Sequence, residues 1–145
     1  MIAAGVPPHG NRMGENAMTP DLVLLLWTVV LAFVQIIIAA VGSSMQVGLR
    51  TAAGNRERMP ELTGWAGRAR RAQLNLLETL PLFIALVLMA HIARRTDAIT
   101  IMGEQVFLIA RVAHLAIYLA GIPWLRTLAW CGSVIGLLLI FMELL

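Results

Sequence analysis

Four long apolar runs, separated by short polar breaks, set the plan of the chain. The first covers Leu22 to Val41, is interrupted only by Gln35, and keeps helical character to about Arg50. Thr19, Pro20 and Asp21 open it with a capping hydroxyl, a proline suited to the first turn, and an acid near the positive end of the helix dipole. The second starts near Trp65, is polar in its first turns, and becomes apolar from Leu76 to Ala93 apart from Glu78, Thr79 and His91. Pro81 within it removes a backbone donor and predicts a bend. The third run is Ala98 to Ala120, with Thr96 or Asp97 as its cap, and the fourth is Trp124 to Glu143, after the break at Gly121, Ile122 and Pro123. Runs of about 20 apolar residues are long enough to cross a bilayer. Between the first two, Thr51 to Gly64 is polar, holds Gly54 and Pro60, and reads as a loop with one short helical turn.

The pattern therefore predicts an all-α fold, an integral membrane four-helix bundle over residues 18–145. Residues 1–17 mix Gly, Pro, Asn and charge without periodicity and are expected to be a disordered tail, with Met18 as a possible alternative start. Composition agrees with this: 145 residues that are 59% hydrophobic and only 13% charged, with mean hydropathy +0.82, lie outside the range of soluble domains. All eleven basic residues other than histidine are arginine. The loop after the first run and the break before the fourth share one side, with Arg50, Arg56, Arg58, Arg68, Arg70, Arg71 and Arg126, against Arg12, Arg94 and Arg95 on the other. The excess of positive charge predicts a cytoplasmic location for that side and both termini opposite. The single Cys131 excludes an intramolecular disulfide. No metal-ligand spacing, phosphate loop or nucleic-acid motif is present.

The candidate chemistry lies in a polar stripe. Arg68, Arg71, Asn75 and Glu78 recur at steps of three and four, so their side chains share one face of the second helix. Charge in a bilayer costs roughly 2.5 to 3.5 kcal/mol per residue, so the stripe is expected to face protein or a polar ligand. A second face, Arg111, His114 and Tyr118, stands on the third helix, and Arg126 follows in the first turn of the fourth. Two readings fit these residues equally. In one, Glu78 pairs with Arg111 or Arg71, with Asn75 bridging, and locks the helices together. In the other, the arginines take carboxylates, Glu78 an ammonium and Asn75 an amide, a set that suits glutathione, whose thiol an arginine would hold as thiolate. His91, without a polar neighbour at helical spacing, is expected to be a plain packing residue.

The run from Arg68 to Phe83 resembles the signature of the MAPEG family, membrane-associated proteins in eicosanoid and glutathione metabolism: Arg68, Arg71, Ala72, Asn75, Glu78, Pro81 and Phe83 fit it, and Arg111 to Leu119 looks like the family's third helix. The resemblance runs from about Leu22 to the C-terminus and is closest to the short bacterial branch. It implies a homotrimer with glutathione bound between subunits and a lipophilic substrate arriving from the membrane lipids. It further implies that Arg71, Asn75, Glu78, Arg111, Tyr118 and Arg126 bind glutathione, with Arg68, His114 and Thr127 in the same site. Arg50 would reach in from the next protomer, and Arg126 would be the catalytic residue at the thiol. Gly67 departs from the acid that precedes Arg68 in the eicosanoid-forming members, Gln73 from a histidine, and Thr127 from a serine. A glutathione transferase or peroxidase is the activity implied; a non-catalytic lipid-binding scaffold is the alternative. A small multidrug transporter is disfavoured, since the first span holds only Gln35 where a buried acid is expected.

Overall fold

The computed structural model describes residues 18–55 and 59–145, so the expected disordered tail lies outside the described residues, as do Arg12, Arg56 and Arg58. Among the described residues five helices follow one another: α1 Pro20–Val47, α2 Leu49–Ala53, α3 Gly64–Ile92, α4 Ala98–Ala120 and α5 Pro123–Leu144. All but α2 are long and apolar enough to cross a membrane. The protein is an all-helical integral membrane protein, and the four spans are those the apolar runs predicted. α1 stops at Val47 rather than Arg50, because Gly48 takes φ +82° and turns the chain into α2. α3 runs unbroken through Pro81.

Local chemistry fixes the remaining ends. Asp97 is the cap of α4: its carboxylate accepts from the Thr100 backbone N–H at 2.8 Å, and this bond holds its carboxyl below the usual carboxylate range. Thr96 turns inward instead and donates to Asp21. At the other end of α4, Gly121 in the left-handed conformation donates to the Ile117 and Tyr118 carbonyls, which lets Pro123 start α5 at once.

The core is a column of Ala32, Leu76, Phe83, Val87, Phe107, Leu137 and Ile140, in which the Phe83 and Phe107 rings stack at 4.1 Å. α4 and α5 touch backbone to backbone where Gly103 meets Gly136, while Gly132, one turn away, is looser. α1 meets α3 where Gly42 abuts Trp65 and Ala66. These contacts place the α1 C-terminus, α2, the α3 N-terminus and the α4–α5 junction at one end of the bundle. At the opposite end Arg95 donates to the carbonyls of Glu143 and Leu144.

Also at that end is the only ion pair among the described residues, His91 Nδ1 to Asp21 Oδ2 at 2.7 Å. His91 is thus not the plain packing residue that its own helix suggested, since its partner stands seventy positions earlier. Asp21 is fully buried and His91 about one-third exposed, so their coupling is expected to be about 1 to 2 kcal/mol. A double-mutant cycle of His91→Ala and Asp21→Asn on thermal unfolding in detergent reads this directly; additive losses would show that the pair does not couple.

Candidate functional site

The two polar faces do meet, through a chain of hydrogen bonds rather than an open cluster. Arg111, on α4, is only 1% exposed; it donates to Asn75 Oδ1 at 2.7 Å and to Thr79 Oγ1 at 2.5 Å on α3. Its guanidinium also lies 5.3 Å from the Phe107 ring. With its Oδ1 taken by Arg111, Asn75 turns its amide nitrogen towards Glu78, at a long 3.5 Å. Asn75 therefore bridges Arg111 and Glu78, as the helix-locking reading requires, and Arg111 reaches the pocket only through Asn75.

On the far side of Asn75 is a cavity of about 270 Å³ lined by Asn75, His114, Tyr118, Arg126, Thr127 and Trp130. One turn separates His114 from Tyr118 on α4, and their rings meet edge to face at 5.3 Å. Arg126 comes from the first turn of α5, because the Gly121 turn folds that helix back beside α4; its guanidinium stands 4.7 Å above the Tyr118 ring. Neither His114, the Tyr118 hydroxyl nor the Arg126 guanidinium makes a hydrogen bond or ion pair among the described residues. Thr127 spends its hydroxyl weakly on the Pro123 carbonyl, at 3.4 Å. One cation, one imidazole and one phenol without partners of their own thus converge on a single space beside the Asn75 amide, which suits an anion bearing further polar groups.

The remaining candidates lie elsewhere in the chain. Arg68 is turned to the end of α4, where its Nε donates to the Leu119 carbonyl at 3.0 Å. Arg71 and Glu78 are exposed on the outer side of α3, and Arg50 is exposed on α2. Gly67 has a local reason for lacking an acid: a Cβ there would run into the carbonyl of Leu62 and crowd the Arg71 guanidinium. Three groups escaped the sequence reading. Thr79, a polar exception in its run, stands one turn after Asn75 and shares its partner Arg111, and Trp130, near a span end, lines the cavity. Glu104 is fully buried on α4 with neither carboxylate oxygen hydrogen-bonded; the signal was its place two turns before Arg111 in an otherwise apolar run. No cluster of three or more His, Cys, Asp or Glu side chains suited to a metal is found among the described residues.

Losing Arg111 should disturb Asn75 as much as stability. Arg111→Leu is expected to cost about 3 kcal/mol or less, because it leaves Asn75 and Thr79 without their charged donor but removes the burial of the charge itself. Thermal unfolding in detergent measures this, and an unchanged midpoint would mean that the α3–α4 link carries no weight.

No curated protein and no solved structure matches the chain. The sequence profile of the MAPEG family matches residues 22–145, which covers the four spans but for Pro20 and Asp21 and includes every candidate residue above. The chain belongs to the MAPEG family.

Proposed function

We propose that the protein is a membrane-bound glutathione-dependent transferase or peroxidase that acts on lipophilic electrophiles. The observation that carries this reading is the pocket beside Asn75, where Arg126, His114 and Tyr118 converge without partners of their own. Its volume of about 270 Å³ is at or just below the smaller end of ligand sites, roughly 300 to 1,000 Å³, as expected of a site that a second subunit completes. Glu78 supports the same view. It lies within a spanning helix and is exposed in the single protomer, where lipid contact would cost roughly 2.5 to 3.5 kcal/mol. In a homotrimer a neighbour covers Glu78 and Arg71, and a neighbouring Arg50 adds a further cation. The five described arginines at this end, Arg50, Arg68, Arg70, Arg71 and Arg126, against Arg94 and Arg95 at the other, favour a cytoplasmic location for the pocket in an inner membrane.

In this reading Arg126 faces the thiolate. Attack of the sulfur on an aryl halide forms the carbon–sulfur bond and releases halide; with a hydroperoxide, sulfur takes the terminal oxygen as the O–O bond breaks and the alcohol leaves, and a second glutathione thiol displaces water from the resulting sulfenic acid to give the disulfide. The second reading, a non-catalytic lipid-binding scaffold, is favoured by the Arg111–Asn75–Glu78 chain, which holds the helices together without any ligand. Detergent-purified protein is expected to turn over a generic aryl halide only when glutathione is present. Binding of glutathione without turnover of either an aryl halide or a hydroperoxide would favour the scaffold.

A further inference from the structure

α1 and α4 both start at the end of the bundle where Thr96 donates to Asp21, so they run in the same direction. Leu31 and Val34 on α1 line one groove with Leu108 and Val112 on α4, which sets their register. Gln35 is therefore level with Arg111 and, two turns back on each helix, Thr28 is level with Glu104. Asp21 stands two turns before Thr28, and Thr100 one turn before Glu104. Asp21, Thr28, Thr100 and Glu104 are all fully buried.

Around Glu104 this row accepts hydrogen bonds and has none to give. Both Glu104 carboxylate oxygens and Asp21 Oδ1 lack a hydrogen-bond partner among the described residues. The Thr28 hydroxyl spends its proton on the Leu24 carbonyl at 3.0 Å, and the Thr100 hydroxyl turns to the Arg95 carbonyl and the Asp97 carboxylate. Neither has a proton left for Glu104. No neighbouring helix supplies a counter-ion. Asp21 acts on Glu104 as a like charge and has its own partner in His91 of α3. Arg111 is committed to Asn75 and Thr79, and Glu78 is turned outwards. α5 meets this stretch of α4 with Gly136, Leu139 and Ile140, and its single acid, Glu143, stands in its last turn.

An ionisable side chain inside a spanning helix is costly and persists where an ion or proton meets it. Acceptors without donors select a cation, and one unbalanced carboxylate matches one positive charge. We infer that Glu104 is the binding site of a monovalent cation, a proton or a sodium ion, with its carboxylate as the charged ligand. The site lies towards the opposite end of the bundle from the pocket at Arg126 and does not depend on glutathione chemistry.

Thermal unfolding of the full-length protein in detergent tests the inference, from neutral to alkaline pH, in sodium chloride and in choline chloride of equal ionic strength. The comparison is with Glu104→Gln, whose amide resembles the neutral carboxylic acid. A cation held by the folded protein and released on unfolding stabilises the fold by mass action. If it is a proton, the folded state binds more protons than the unfolded one, and the wild-type midpoint falls as pH rises. If it is sodium, sodium raises the midpoint at alkaline pH and choline does not. Glu104→Gln should lose whichever dependence the wild type shows, and the difference between the two proteins removes the contribution of His91 on Asp21. Dicyclohexylcarbodiimide, an apolar reagent that modifies protonated carboxyl groups, gives a second measurement. It is expected to label Glu104 at neutral pH in choline, and to do so less at alkaline pH or in sodium; if Glu104→Gln does not fold, this labelling decides alone. A wild-type midpoint that follows neither pH nor sodium, a Glu104→Gln variant that keeps the wild-type dependence, or the lack of a label at Glu104 that alkaline pH or sodium removes would overturn the site.

Discussion

Gly136→Ala is expected to be the most damaging methyl group that can be added between two of the spanning helices. A Cβ at position 136 would stand 2.6 Å from the Gly103 carbonyl oxygen and 2.7 Å from the Phe107 backbone nitrogen. Both obstacles are backbone atoms, so no rotamer change relieves them and α4 and α5 must separate. Overpacking of this kind costs about 1 to 3 kcal/mol. The damage should also reach the pocket, because Arg126 on α5 is held over Tyr118 on α4 by the same helix pair. Gly132→Ala is the control: its Cβ would meet only the Ala110 methyl, at 3.4 Å, and should be nearly neutral. Thermal unfolding of the two variants in the same detergent checks this. Equal midpoints would mean that the Gly103–Gly136 crossing does not set the spacing of the helices.

Much of this architecture is legible in the sequence because a membrane span is a strong signal. Four apolar runs gave four helices, and Gly121 with Pro123 gave the turn that brings Arg126 to the pocket. Gly132 and Gly136 stand at a spacing that favours close helix contact, but spacing alone does not say which of them makes it, since that depends on Gly103 in the partner helix. The candidate site was legible in its residue types and less so in its geometry. Helical spacing placed Arg111, His114 and Tyr118 on one face, yet Arg111 turned out to be buried against Asn75 and Thr79 while the other two line the cavity. A period of three and four residues gives direction around a helix, but not how far a side chain reaches across to the next one. The same limit hid His91 and Asp21, whose contact joins α3 to α1. Arg71, Glu78 and Arg50 remain apart from the pocket in one protomer, as expected if residues from two subunits build the site.

The second large effect is expected at Arg126. Its guanidinium faces the cavity from the first turn of α5, with the Tyr118 ring as its support and, among the described residues, no carboxylate paired with it. A cation near the positive end of a helix favours an anion there, and in the proposed function that anion is the glutathione thiolate. An adjacent positive charge lowers a thiol's pKa, commonly by about 1 to 3 units from a free value near 8.5. Arg126→Ala should return the bound thiol towards that free value and lower turnover by about 10² to 10³, as loss of one preorganised charge donor does elsewhere. Lysine at this position should restore part of the effect, because a point charge suffices where no bidentate contact is needed. Glutathione affinity should change less, since Asn75, His114 and Tyr118 remain to hold the peptide. The most direct measurement is the ultraviolet thiolate absorbance that appears when glutathione is added to the purified protein at neutral pH. The account predicts a thiolate signal in the wild type, its loss in Arg126→Ala and its partial return in Arg126→Lys; a wild type without the signal, or an Arg126→Ala variant that keeps it, would contradict the account.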